Sequence, residues 1–278
     1  MSDWQTFGHQ NVKNLLEKQL KAKVFPHAYL FWGQEGLGKK QLALEFAGRI
    51  LKTDRLTTHP DFQIIDLEGE IVLERIHEFI ARLRFKPLLS EHKIGIVNNC
   101  ENLNLQSANA LLKTLEEPSK SSIIILIANS RNVLPTLRSR CQIFNFNPFT
   151  QQQLKSFALQ NENEFFEEIA ALSFGSPERF RVLTQDEEVL KEHKGRLEEL
   201  QNIKHSTLAE RILKISEFAV WEDKDLEDLF LDWTFWQAYK VRQQPEEYMR
   251  LKKLLNALRN LKINKNKKLI LQELFFSI

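Results

Sequence analysis

Short apolar runs alternate with amphipathic stretches through the first half of the chain. The runs lie at residues 28–32, 61–67, 93–97, 122–128 and 143–146, and each has the length of a strand. The run Ile123-Ile124-Ile125-Leu126-Ile127 is uniform, which predicts a strand buried on both faces. Between the runs, apolar residues repeat at helical spacing. Val12, Leu15, Leu16 and Leu20 share one face, and Leu73, Ile76, Phe79, Ile80 and Leu83 share another. Residues 41–51 and 108–115 read the same way. Strand and helix in alternation predict βαβ units and a mostly parallel sheet with helices on both faces.

Pro148 marks a change of pattern. From Thr150 onward the periodicity is helical, with expected helices at 154–159, 164–172, 177–190, 208–220, 226–242, 246–261 and 268–276. Gly175-Ser176-Pro177 and Asn264-Lys265-Asn266 are the breaks. The expected plan is an α/β domain at 1–148, a small helical domain at 149–194 and a second helical domain at 195–278. The aromatics Trp221, Phe230, Trp233, Phe235 and Trp236 fall at helical spacing and are read as core, with part of the cluster available to a subunit interface.

Composition narrows the class. At 278 residues with 42% apolar and 27% charged residues, the chain has the profile of a soluble globular protein with room for two or three domains. No stretch approaches the ~18 consecutive apolar residues of a membrane span. Met1-Ser2-Asp3-Trp4 lacks a signal-peptide pattern, and two cysteines make no disulfide framework, so a cytoplasmic location is expected. A net charge of +2 is too small to argue for nucleic acid by itself.

Chemistry enters at Gly33-Gln34-Glu35-Gly36-Leu37-Gly38-Lys39-Lys40, between a predicted strand and a predicted helix. That is the context of a phosphate-binding P-loop. Its glycines let backbone N–H groups turn inward, and the following helix N-terminus adds positive potential. Lys39 holds the place of the lysine that reaches the β- and γ-phosphates. The next place calls for a Ser or Thr hydroxyl on Mg²⁺, and here it is Lys40. A P-loop enzyme also needs an acidic residue at the end of a second strand. Here Ile94-Gly95-Ile96-Val97 runs into Asn98-Asn99, and an amide cannot act as a general base.

The helix Ser107-Ala108-Asn109-Ala110-Leu111-Leu112-Lys113-Thr114-Leu115-Glu116-Glu117-Pro118 resembles the AAA+ clamp-loader subunits of bacterial DNA polymerase III. Pro26-His27-Ala28-Tyr29-Leu30-Phe31, His59-Pro60-Asp61-Phe62 and Leu134-Pro135-Thr136-Leu137-Arg138-Ser139-Arg140-Cys141 resemble further family strings. The resemblance covers about the first 185 residues, and it implies an AAA+ P-loop sheet domain, a helical lid and an all-α collar that holds the ring together. In motor subunits a Gly-Ser/Asp-x-Arg string on the lid contacts the γ-phosphate; here it is Gly175-Ser176-Pro177-Glu178. With Lys40, Asn98/Asn99 and Glu178 all departing from the motor pattern, the resemblance is to the non-motor, delta-prime branch. It implies no required ATP or ADP and no intrinsic turnover. Its implied partners are gamma/tau and delta subunits, and through them the sliding clamp and primed DNA. By resemblance, Arg140 is an arginine finger for a neighbouring subunit's ATP. The competing readings are a working gamma/tau-type ATPase and a non-hydrolysing nucleotide sensor. The family's four-cysteine zinc module is missing from the sequence, and no zinc or other metal is expected. Lys113, Lys120, Arg131 and Arg138 are candidates for auxiliary DNA-phosphate contact, against the plainer reading of a solvated face.

Overall fold

The computed structural model describes residues 4–66, 69–130, 133–157, 166–263 and 266–277. Expectations that rested on Leu67, Arg131, Leu159, Glu164, Asn264 and Lys265 therefore lie outside the described residues. The chain forms two compact units, Met1–Pro148 and Phe149–Ile278.

The first unit runs α1 (Gln10–Ala22), β1 (Ala28–Trp32), α2 (Lys39–Leu51), β2 (Phe62–Ile65), α3 (Leu73–Arg84), β3 (Lys93–Val97), α4 (Leu105–Glu116), β4 (Ser122–Ala128), α5 (Pro135–Arg138) and β5 (Gln142–Asn145). The strands make one five-stranded sheet in the order β2-β3-β4-β1-β5, and every pairing is parallel. Five strands follow the five apolar runs; β3 is buried along its whole length, and a strand covered on both faces must be apolar throughout. All of β4 is buried, as its isoleucines require. One face of the sheet packs Ala28, Leu30, Ile124 and Leu126 against Ile76, Phe79, Ile80 and Leu83 of α3 and Ala108, Leu111 and Leu115 of α4. The other face is aromatic: Tyr29 and Phe31 of β1 meet Phe46 of α2 and Phe144 of β5 at 5.4–6.0 Å between centroids.

The second unit is all-helical among its described residues: α6 (Gln151–Phe157), α7 (Phe166–Ser173), α8 (Pro177–Gln185), α9 (Glu187–His205), α10 (Leu208–Phe218), α11 (Asp223–Gln243), α12 (Tyr248–Ile263) and α13 (Lys267–Phe275). Its core gathers Phe218, Phe230, Trp233 and Phe275, all essentially without exposed surface. Of the expected aromatic cluster, Phe230 and Trp233 are thus core, while Phe235 stacks on Phe174 at 4.6 Å.

Two expectations need correction here. The helix expected at 177–190 is two helices. Asp186 leaves helical geometry, and its Oδ1 caps α9 by accepting from the N–H groups of Glu188 and Val189, both at 3.1 Å. The boundary expected between 194 and 195 falls inside α9, which runs unbroken through Gly195. One interior glycine costs a helix only about 1 kcal/mol, and burial of Leu190, Leu197, Leu200 and Ile203 along α9 outweighs that. No helix among the described residues is long and apolar enough to cross a membrane.

Candidate functional site

The glycine-rich loop leaves the end of β1, where β1 lies between β4 and β5. Gly33 is there because nothing larger fits: an added Cβ would stand 2.3 Å from the carbonyl oxygen of Phe146. Gly36 and Gly38 take left-handed backbone (φ 74° and 80°), and Gly38 is the N-cap of α2. The P-loop turn is therefore intact as a piece of backbone. Lys39 is buried, and its ammonium donates to the carbonyl of Gln34 at 2.5 Å, within the loop.

A segment that sequence reading missed lies against this loop. The N–H and hydroxyl of Thr6 donate to Oε1 of Glu45 on α2 at 2.8 and 2.7 Å, and the N–H of Gln5 donates to Oε2 at 3.0 Å. Lys13 donates to the Thr6 carbonyl. The methyl of Thr6 lies 3.0 Å from where a Gly38 Cβ would be. Nε2 of His9 donates to the carbonyl of Leu37 at 2.8 Å. Burial lowers the His9 pKa, the bond to Leu37 opposes it, and the charges of Lys13 and Lys39 lower it further, so the imidazole is neutral at pH 7. Thr6 and His9 thus pack directly on the glycine turn. Nothing in their sequence pattern announced it.

Lys40 does more than replace a metal-binding hydroxyl. Its ammonium ion-pairs with Asp66, which directly follows β2. The other oxygen of Asp66 accepts from Nδ2 of Asn98 at 2.8 Å. Partial burial works to raise the Asp66 pKa. The hydrogen bonds from Lys40 and Asn98, with the Lys40 charge, outweigh it and hold the carboxyl below its usual range. Two of the three departures from the motor pattern therefore meet on one carboxylate. This donor set does not fit a nucleotide-bound Mg²⁺: a cation sits where the hydroxyl ligand belongs, and the adjacent acid is neutralised by it. No group of three or more His, Cys, Asp or Glu that could hold a metal ion occurs among the described residues. Sequence reading placed Asp66 inside the strand expected at 61–67 and gave it no role.

Asn99, in left-handed backbone (φ 52°), accepts from Nδ2 of Asn129 at 2.6 Å. Glu101 Oε1 accepts from the Asn129 N–H at 2.8 Å. These groups lace the end of β3 to the end of β4.

Arg140 follows α5 and is about one-third exposed. Its Nη2 pairs with Oε1 of Glu116, the last residue of α4, at 2.5 Å. Its Nη1 donates to the Thr136 carbonyl at 3.0 Å. In the single chain Arg140 is thus paired with an acid on its own surface. Beside it, burial pushes the Cys141 thiol up to about 12 and raises Cys100 still further, so neither is a thiolate at neutral pH. Of the candidate DNA contacts, Lys113 and Lys120 are exposed, whereas Arg138 lies over the Trp32 ring at 4.8 Å.

In the second unit, Glu178 is exposed in the first turn of α8, whose N-cap Ser176 accepts from the Arg179 N–H at 3.1 Å. The neighbouring arginine is occupied elsewhere. Nη2 of Arg179 donates to Oδ1 of Asp232, a carboxylate with no exposed surface, at 2.6 Å. His193 Nδ1 and Arg196 Nη1 meet its Oδ2 at 2.5 and 3.1 Å. This buried cluster joins α8, α9 and α11, and sequence reading missed it.

Comparison with known proteins follows the same lines. The family model described as "DNA polymerase III, delta subunit" matches residues 8–150. A DNA polymerase III subunit delta' of Pseudomonas aeruginosa is 33% identical over 175 residues, which cover 54% of this chain and 53% of that protein. The delta' subunit of Bacillus subtilis is 28% identical over 168 residues, 54% of this chain and 51% of that protein. The chain thus spans about half the length of these curated relatives. Among solved structures, a DNA polymerase III gamma subunit-related protein of Thermotoga maritima has the same fold. Its TM-score is 0.54 at 22% identity, over 96% of this chain and 97% of that one.

Proposed function

The chain belongs to the DNA polymerase III delta subunit family, and we propose that it is the non-motor, delta-prime-type subunit of a clamp loader. In this reading it assembles with gamma/tau and delta subunits, and the complex loads the sliding clamp onto primed DNA. The helical unit Phe149–Ile278 supplies the lid and the collar. The observation that carries the non-motor role is the Lys40–Asp66–Asn98 set, which puts an ion pair where a motor needs Mg²⁺ and an acid. The chain's own P-loop then serves as scaffold, and no step of hydrolysis passes through Lys39.

Its contribution to hydrolysis is Arg140, offered to ATP held by a neighbouring subunit. A guanidinium stabilises charge spreading over the transferring phosphoryl group, and losing one typically costs about 10³–10⁵ in rate at the site it serves. That is about 4–7 kcal/mol at 1.36 kcal/mol per decade. A partly exposed ion pair such as Arg140–Glu116 is worth about 1 kcal/mol or less, and the guanidinium keeps further N–H donors for a phosphate that a partner presents. The test is a reconstituted complex with a gamma/tau-type subunit, assayed for clamp- and DNA-stimulated ATP hydrolysis. Arg140→Ala lowers turnover while assembly persists, and Lys39→Ala leaves turnover unchanged. Loss of activity with Lys39→Ala overturns the non-motor reading; unchanged activity with Arg140→Ala overturns the finger.

A further inference from the structure

Glu116 is on the wrong end of its helix. It closes α4, where the helix dipole is negative and a carboxylate is disfavoured. What offsets this is Arg140, whose Nη2 it accepts at 2.5 Å. We propose that Glu116 is a positioning residue for Arg140: with the Thr136 carbonyl it fixes the guanidinium so that the remaining N–H groups meet a phosphate. The proposal rests on the finger reading and deepens it.

The geometry supplies both halves of the argument. A guanidinium carries five N–H donors in a rigid fork. Nη1 donates to the Thr136 carbonyl at 3.0 Å and lies 3.4 Å from the Ser139 hydroxyl, and Nη2 gives one N–H to Glu116. The Nε–H and the second Nη2–H have no partner among the described residues. Two donors are thus left on a side chain whose other edge is held, and the residue is one-third exposed and so reachable. An unheld arginine must give up rotamer freedom at the moment of reaction; a held one has done so already.

The post that holds it is itself anchored. Asn104 caps α4 by accepting from the Ser107 N–H at 2.8 Å and donates to Glu70 at 2.8 Å. The Ser107 hydroxyl donates to the Ile71 carbonyl at 2.7 Å, and Ala108, Leu111 and Leu115 are in the core. α4 therefore runs as a stiff rod about 18 Å long, at 1.5 Å per residue, from its Asn104 cap to the guanidinium.

The test uses the reconstituted complex with a gamma/tau-type subunit, clamp and primed DNA, with ATP as the titrated substrate. Glu116→Ala lowers kcat about fivefold, the scale of a partly exposed ion pair, and leaves KM for ATP unchanged. Glu116→Gln, which keeps an acceptor oxygen, recovers part of the rate. In the Arg140→Ala background, Glu116→Ala costs nothing further, because it acts only through the arginine. The melting temperature of each isolated variant stays within about 3 °C of the parent. Unchanged or raised kcat in Glu116→Ala, with Arg140→Ala defective, overturns the positioning role and leaves the finger standing. So does a further loss in the double variant. If Arg140→Ala itself has no effect, the finger falls and the positioning role falls with it.

Discussion

Replacing Asp232 by Asn removes one buried charge and leaves three donors facing each other. The carboxylate has no exposed surface and accepts from Arg179 at 2.6 Å, His193 at 2.5 Å and Arg196 at 3.1 Å. An amide of the same shape has one acceptor oxygen and one NH₂ group, so one side of the site then sets donor against donor. Hydrogen bonds to charged groups contribute about 1.5–3 kcal/mol each, and breaking a buried ion pair from one side costs about 3–5 kcal/mol. The partners retain 32%, 15% and 17% side-chain exposure, so water recovers part of that. The expected loss is about 3 kcal/mol. For a unit the size of Phe149–Ile278 that is a fall in Tm of about 10 °C. Trp233 is the reporter: its indole donates to the carbonyl of Arg196 on α9, and it is adjacent to Asp232 on α11. The assay is thermal unfolding of the full chain by tryptophan fluorescence, with far-ultraviolet circular dichroism alongside. The control is Glu78→Gln, whose pair with Arg75 is 62–65% exposed and should be worth under about 0.5 kcal/mol. A Tm change in Asp232→Asn no larger than the control's would refute the reasoning, since it would mean water already satisfies the cluster.

Two further outcomes are expected. Gly33→Ala forces a methyl to within 2.3 Å of the Phe146 carbonyl and 2.9 Å of its Cβ, so the junction of β1 and β5 must shift. The cost is about 2–4 kcal/mol by urea unfolding, and a loss under about 1 kcal/mol would count against the close approach. Asp61 accepts from the N–H groups of Leu88, Leu89 and Ser90 at 2.7–2.9 Å; burial works to raise its pKa, but these bonds outweigh it, and the charge of His59 adds to them. A depressed folded-state pKa contributes stability above the unfolded carboxylate value near ~4 and loses it as pH falls through the folded value. Asp61→Asn should therefore be less stable than the parent by about 1–3 kcal/mol at pH 7, the cost of an imperfectly satisfied buried group. The gap should close only below about pH 4; a gap that closes between pH 7 and pH 5 would contradict the assignment.

Much of the first unit was readable from the chain alone, for one physical reason. A parallel sheet covered by helices on both faces needs unbroken apolar strands and amphipathic helices, and those periodicities are local. The glycine turn was equally local, because backbone of positive φ at Gly36 and Gly38, and the close approach at Gly33, exclude most other residues. Lys40, Asn98, Asn99 and Glu178 were visible as departures from a pattern for the same reason. What they do could not be read, since each answer lies on another element. Lys40 and Asn98 converge on Asp66 only because β2 and β3 are neighbours in the sheet. The hold of Thr6 beside the P-loop depends on Glu45, a residue that reads as the polar face of a helix. In the second unit, Asp186 and Gly195 misled in opposite directions. An acid that looked tolerable inside a helix became a cap, and the glycine at which a new domain was expected to begin stayed helical. Sequence by itself determined the strands, the turn and the positions that depart from the P-loop pattern, because those depend on neighbours along the chain. Only the tertiary structure decided the partners of Asp66, Asp232 and Arg140, because an ion pair between distant residues exists only where folding brings two side chains together.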